Sequence, residues 1–148
     1  SWTFAGEAVS LAAAKVTLGC VRWHEALEPI HEYGRLFGEK LCNLFADYEL
    51  PAHVNGHPWR IGVHWCDVPG IATAQELRTL WLAEHARRGI LHGIGVILPM
   101  SCWTDTELTL LCESAHEVCH LIADAIQLNC VRDILPCPVS GDVLSVRA

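Results

Sequence analysis

Lysine is nearly missing from this 148-residue chain. Lys15 and Lys40 are the only two, and Lys and Arg together number 10 against 17 acidic residues. The net charge of −7 argues against nucleic acid as a partner, since such a surface needs a basic patch to displace condensed counterions. No apolar run reaches the roughly 18 residues that span a bilayer, so no membrane is expected as a partner either. The longest uncharged stretch, Gly89–Trp103, is broken by His92, Pro99 and three glycines. Charged residues make up only 18% of the chain and apolar ones 51%, which excludes a disordered or fibrous chain. A glycine-rich phosphate loop, a Gly-x-Ser-x-Gly elbow and a Cys-x-x-Cys pair are all missing.

What is present is eight cysteines, scattered and mostly inside apolar segments. The length allows a core without staples, and no signal peptide is visible, so the reading is reduced thiols in a cytoplasmic compartment. The densest Cys/His cluster is Cys112, His116, Cys119 and His120, which share one helical face. A single straight helix cannot surround a metal tetrahedrally. Leu108, Leu111, Ala115 and Ala123 continue the same face, so a core-facing stripe is expected there and a metal site is the alternative.

Periodicity predicts the elements. Glu7–Arg22 reads as a helix apolar nearly all round, hence a buried one, with Lys15 inside it. Trp23–Tyr48 reads as an amphipathic helix with a stripe of Leu27, Ile30, Phe37, Leu41, Leu44, Phe45 and Tyr48 and with Lys40 on the exposed side. Pro29 marks its first turn or a kink, and Gly34 and Gly38 weaken it unless a neighbour packs against them. Val54–Trp65 reads as extended, with turn chemistry at Asn55-Gly56-His57-Pro58 and alternation at Trp59, Ile61, Val63 and Trp65. Thr73 and Glu76, and Thr104 and Glu107, have capping-box spacing and open two further helices. The first stops at Gly89 and the second runs from Asp105 to about Asn129, with a short strand near Val96–Leu98 between them. Cys130–Ala148 reads as a coil with a short extended piece. The order implies an α+β fold, a small antiparallel sheet covered by helices.

Residue patterns alone give no self-contained active site. His24 and His31 beside Glu25, Glu28 and Glu32 read as a solvated helix face, as does the pair Glu113 and Glu117. Trp23, Trp59, Trp65 and Trp81 read as core or interface, because the acidic charge removes the electrostatic partner that a base-stacking platform needs.

The opening Ser1-Trp2-Thr3-Phe4-Ala5-Gly6-Glu7, followed by an alanine-rich helix, resembles a stretch of the class III pyridoxal-phosphate (PLP) aminotransferases, in their glutamate-1-semialdehyde aminomutase-like branch. Weaker similarities follow in the same order: Gly34, the segment from Val54 to Ile61, Arg88-Gly89-Ile90-Leu91, and Ser101 to Glu107. The resemblance covers about residues 1 to 130. It implies that Thr3 binds the cofactor phosphate across a homodimer interface, which suits a hydroxyl leading into a helix N-terminus. It also implies the C-terminal domain of a fold-type I PLP-dependent transferase. Residues 1–22 would end the large domain, 23–130 form the small domain and 131–148 the tail. The Schiff-base lysine, the aspartate on the pyridine nitrogen and the stacking aromatic would lie upstream, and neither Lys15 nor Lys40 matches that lysine. Trp103 stands where the family has histidine, and Ile90–Met100 lacks the acidic residue of the aminomutase proper. The expectation is therefore the C-terminal part of a transaminase acting on an amino donor and a carbonyl acceptor, inactive by itself. The alternatives are the aminomutase, a non-catalytic interaction module and a Cys/His metal-binding domain.

Overall fold

The computed structural model describes residues 7–20, 23–91, 93 and 95–139. It contains helices α1 (Ala8–Cys20), α2 (Trp23–Asp47), α3 (Ala74–Arg87) and α4 (Asp105–Gln127), and strands β1 (Ala52–His57), β2 (Arg60–Trp65) and β3 (Val96–Ile97). The strands form one antiparallel sheet in the order β1-β2-β3; α2 and α3 pack against it, and α4 packs against α2 and α3. This is the expected α+β architecture.

Its core is built from stripes of side chains. Phe37, Leu41, Leu44 and Phe45 of α2 meet Leu77, Leu80 and Trp81 of α3 and Ala115, Val118, Cys119 and Ile122 of α4. Ile61, Val63 and Trp65 close the core from the sheet. Phe45, Trp65 and Trp81 form a triangle of rings with centroids 5.8–6.0 Å apart, joining α2, β2 and α3. Tilted and edge-on contacts of this kind add about 0.5–1.5 kcal/mol each beyond the area buried.

The helix boundaries follow local chemistry. Thr73 and Thr104 both close capping boxes, their amides donating to Glu76 at 2.7 Å and Glu107 at 2.8 Å. All three helices of the core end in the same stop. Leu50, Ile90 and Cys130 donate their amides back to Phe45, His85 and Ala125, while the residue before each turns left-handed. That residue is Gly89 in one case, Glu49 and Asn129 in the others.

Four expectations change. First, α1 is not buried: every described side chain on it is exposed, Lys15 included, and it touches no other described element. Second, the hairpin turns two residues later than a turn over Asn55-Gly56-His57-Pro58 suggests. His57 pairs with Arg60, so Pro58 and Trp59 form the loop and Asn55 and Gly56 lie within β1. Trp59 thereby leaves the strand and is 50% exposed. The reason is a close approach. The carbonyl of Pro58 lies against the Cα of Gly34, where a Cβ would overlap it, so the helix holds the loop at that position. Third, Pro29 lies inside α2, beyond its first turn. Fourth, in α4 the buried face is Leu111, Ser114, Ala115, Val118, Cys119, Ile122 and Ala125, which leaves His116 and His120 exposed at its rim.

Candidate functional site

Thr3, the residue expected to bind a phosphate, lies outside the described residues, as does the whole motif before Glu7. What the structure describes is the helix that follows it. α1 begins as Leu11 donates its amide to the carbonyl of Glu7 at 3.0 Å, and Ser10 hydrogen-bonds to the Glu7 carboxylate at 2.6 Å. Alanines at 8, 12, 13 and 14 keep it thin, and Val9, Leu11, Val16 and Leu18 stand out from it at 59–73% exposure.

A PLP molecule could sit only in an enclosed part of the described residues. Such a site needs a lysine amine in an enclosed pocket, donors for a dianionic phosphate and a carboxylate for the ring nitrogen. Three grooves come into question. One of about 500 Å³ lies between α2 and the hairpin, lined by Gly34, Arg35, Cys42, Asn43, Asn55 and His57. A second, about 440 Å³ and almost wholly apolar, lies beneath Ile90–Met100 against Trp103 and Leu110. A third, about 790 Å³, runs between α3 and α4 past Arg88, His116, Glu117, His120 and Asp124. None is lined by a lysine: Lys15 and Lys40 are exposed on the outer faces of α1 and α2. The described residues therefore do not by themselves fit the cofactor.

The other candidates resolve into structural roles. Cys119 is fully buried and burial pushes its thiol up to about 12, while burial also raises Cys112. A metal takes the thiolate, so this environment works against ligation. His116 accepts or donates a hydrogen bond with the Tyr48 hydroxyl at 2.9 Å, and His120 faces Asp124 at 3.2 Å. Both rings pack on Tyr48, linking α2 to α4. Among the described residues no three His, Cys, Asp or Glu side chains come together as metal ligands. Glu117 is taken up by Arg88 at 2.9 Å, which also reaches Glu84, a carboxylate only 5% exposed that Arg87 holds at 2.6 Å. This ties α3 to α4 and leaves no pair of facing carboxylates for acid–base work. His31 packs beside Trp59, itself stacked on His57 at 4.6 Å; the His24 side chain is outside the described residues. Trp65 and Trp81 are core, as expected.

One juxtaposition escaped the reading of the sequence. His53 and His64 stand directly opposite each other across β1 and β2, their rings stacked 5.3 Å apart. The two are equidistant from the Pro58-Trp59 loop, a signal visible in the sequence only once that loop is known.

Among the described residues no helix is long and apolar enough to cross a membrane. No protein-family model matches the chain, and no curated protein sequence matches it. The chain is similar in structure to a solved transaminase with PLP bound, at a TM-score of 0.61 and 16% sequence identity, over 68% of this chain. It spans about a quarter (24%) of that transaminase's length. The likeness establishes the fold: the small three-stranded sheet and its helices correspond to part of a transaminase fold.

Proposed function

We propose that this chain is the C-terminal part of a PLP-dependent transaminase of the class III type, moving an amino group from an amino donor to a carbonyl acceptor. The observation that carries the reading is the fold of the small domain, similar to a quarter of a PLP-bound transaminase. The order of motifs from Thr3 to Glu107 supports it independently. PLP, when bound, supplies an electron sink for the carbon that exchanges its amino group. Thr3 is the residue of this chain that would bind its phosphate, reaching across a homodimer interface. The lysine that completes the site would come from elsewhere in the whole protein, and the 148-residue chain alone is inactive. The lack of an acidic residue in Ile90–Met100 favours a transaminase over an aminomutase. A cytoplasmic location goes with the reduced thiols.

The test is the coding sequence ahead of Ser1 and the protein that it encodes. The expected result is a lysine upstream of Thr3, a purified longer protein with the visible absorption of bound PLP, and transamination with an amino donor and a keto acid. Thr3→Ala in that protein should weaken PLP binding at least tenfold without unfolding it. A longer protein that binds no PLP, or one without such a lysine, overturns the reading in favour of a non-catalytic module.

A further inference from the structure

We propose that the outer face of the β1–β2 hairpin chelates a divalent transition metal through His53 and His64. This inference stands apart from the transaminase reading. The two residues form a directly opposed pair in an antiparallel ladder whose register is set by six residue pairs and by the Pro58-Trp59 loop seated on Gly34. Opposed Cβ atoms in such a ladder lie about 4.5–5.5 Å apart. Two imidazole nitrogens at about 2.0–2.1 Å from one ion need a separation of about 3.3 Å in tetrahedral geometry. The ring centroids are 5.3 Å apart with the planes 16° from parallel, so chelation requires both rings to rotate about their side-chain bonds until one nitrogen of each points at the shared ion.

The other described histidines are otherwise engaged. His116 is hydrogen-bonded to Tyr48, His120 faces Asp124, His57 and His31 pack on Trp59, and His85 is buried. His53 and His64 are exposed, and their recorded contact is with each other. Two stacked imidazoles in solvent gain little from one another. A shared metal ion gives both rings a common partner. Asn55 and Cys66 follow on the same face by the two-residue alternation of the strands, and Cys66 is exposed. No third His, Cys, Asp or Glu among the described residues completes a closed set, so the ion keeps open positions for water or a small ligand. Imidazole nitrogens select Cu²⁺, Ni²⁺ and Zn²⁺ over Mg²⁺ and Ca²⁺.

Nickel is the probe, because it avoids the thiol oxidation that copper would cause. Ni²⁺ titrated into the reduced chain at neutral pH should bind at one site. Its paramagnetism should broaden the amide resonances around His53, Asn55, His64 and Cys66. His53→Ala and His64→Ala should each weaken binding at least tenfold, while His116→Ala and His120→Ala leave it unchanged. All four side chains are exposed, so circular dichroism should be the same for every variant. Mg²⁺ at the same concentration should broaden and bind nothing. Three results would overturn the proposal: no Ni²⁺ binding, binding that survives His53→Ala, or binding lost in His116→Ala with broadening centred on α4.

Discussion

Helices α1 and α4 are both rich in apolar residues, yet one touches nothing described and the other is the floor of the core. In α4 apolar side chains recur at helical spacing, and packing against α2 and α3 buries one face of them, Leu111, Ala115, Val118, Cys119, Ile122 and Ala125. In α1 they lie on every side, and no single neighbour could cover them. Hydropathy states how much surface a helix would remove from water, whereas periodicity states whether one neighbour suffices. A helix that is apolar all round needs at least two, and the other described elements supply α1 with none. In the transaminase reading those neighbours are the large domain and the second subunit.

Substitutions in the two regions should separate most widely. Leu41→Ala, in the centre of the core, should cost about 2–5 kcal/mol of stability, and Leu18→Ala on α1 should stay within about 0.5 kcal/mol. Both are read from urea midpoints on the chain alone. A large loss for Leu18→Ala would mean that α1 is packed in solution. Next comes Gly34→Ala, which sets a Cβ into the Pro58 carbonyl and should cost about 1–3 kcal/mol by forcing the hairpin away. Thr73→Ala should cost about 1 kcal/mol by opening the cap of α3. That cap also gives the domain an acid limb. The Glu76 carboxyl is held at about 2, below its ordinary 4.5, first by Arg132 and then by the Thr73 amide. A lowered carboxyl contributes its full stability above the unfolded value and loses it as pH falls toward the folded one. Stability should therefore decline between about pH 4.5 and 2, and Glu76→Gln should flatten that decline in acid titrations followed by tryptophan fluorescence. The smallest effect is a gain. Gly38→Ala, one turn along α2 from Gly34 with open space around it, should stabilise by about 0.5–1 kcal/mol.

Much of the described fold was legible because its signals are local. Thr73, Thr104 and Gly89 mark helix ends through bonds to residues at most five positions away, and the stripe of α2 follows from spacing alone. The hairpin was legible as a hairpin, but its turn was not. Asn55-Gly56 has the stronger local turn chemistry, while the contact between Pro58 and Gly34 spans two elements and decides the register. Shifting the loop centre to Gly56-His57 would have set His53 opposite Arg60, so the histidine pair disappears with the wrong turn. The Cys112–His120 cluster was read as one helical face, whereas the face that packs is rotated enough to bury Cys119 and expose both histidines. That rotation is set by Leu111, Ala115, Val118, Ile122 and Ala125 packing against α2 and α3. The phosphate site expected at Thr3 rests on the motif alone, since Thr3 lies outside the described residues.

The seating of Pro58 on Gly34 has a mechanical consequence. With a backbone carbonyl pressed on a backbone Cα there is no side chain between them to give, so α2 and the hairpin are coupled at that point. Any rotation of α2 there would then act on the hairpin that carries His53 and His64.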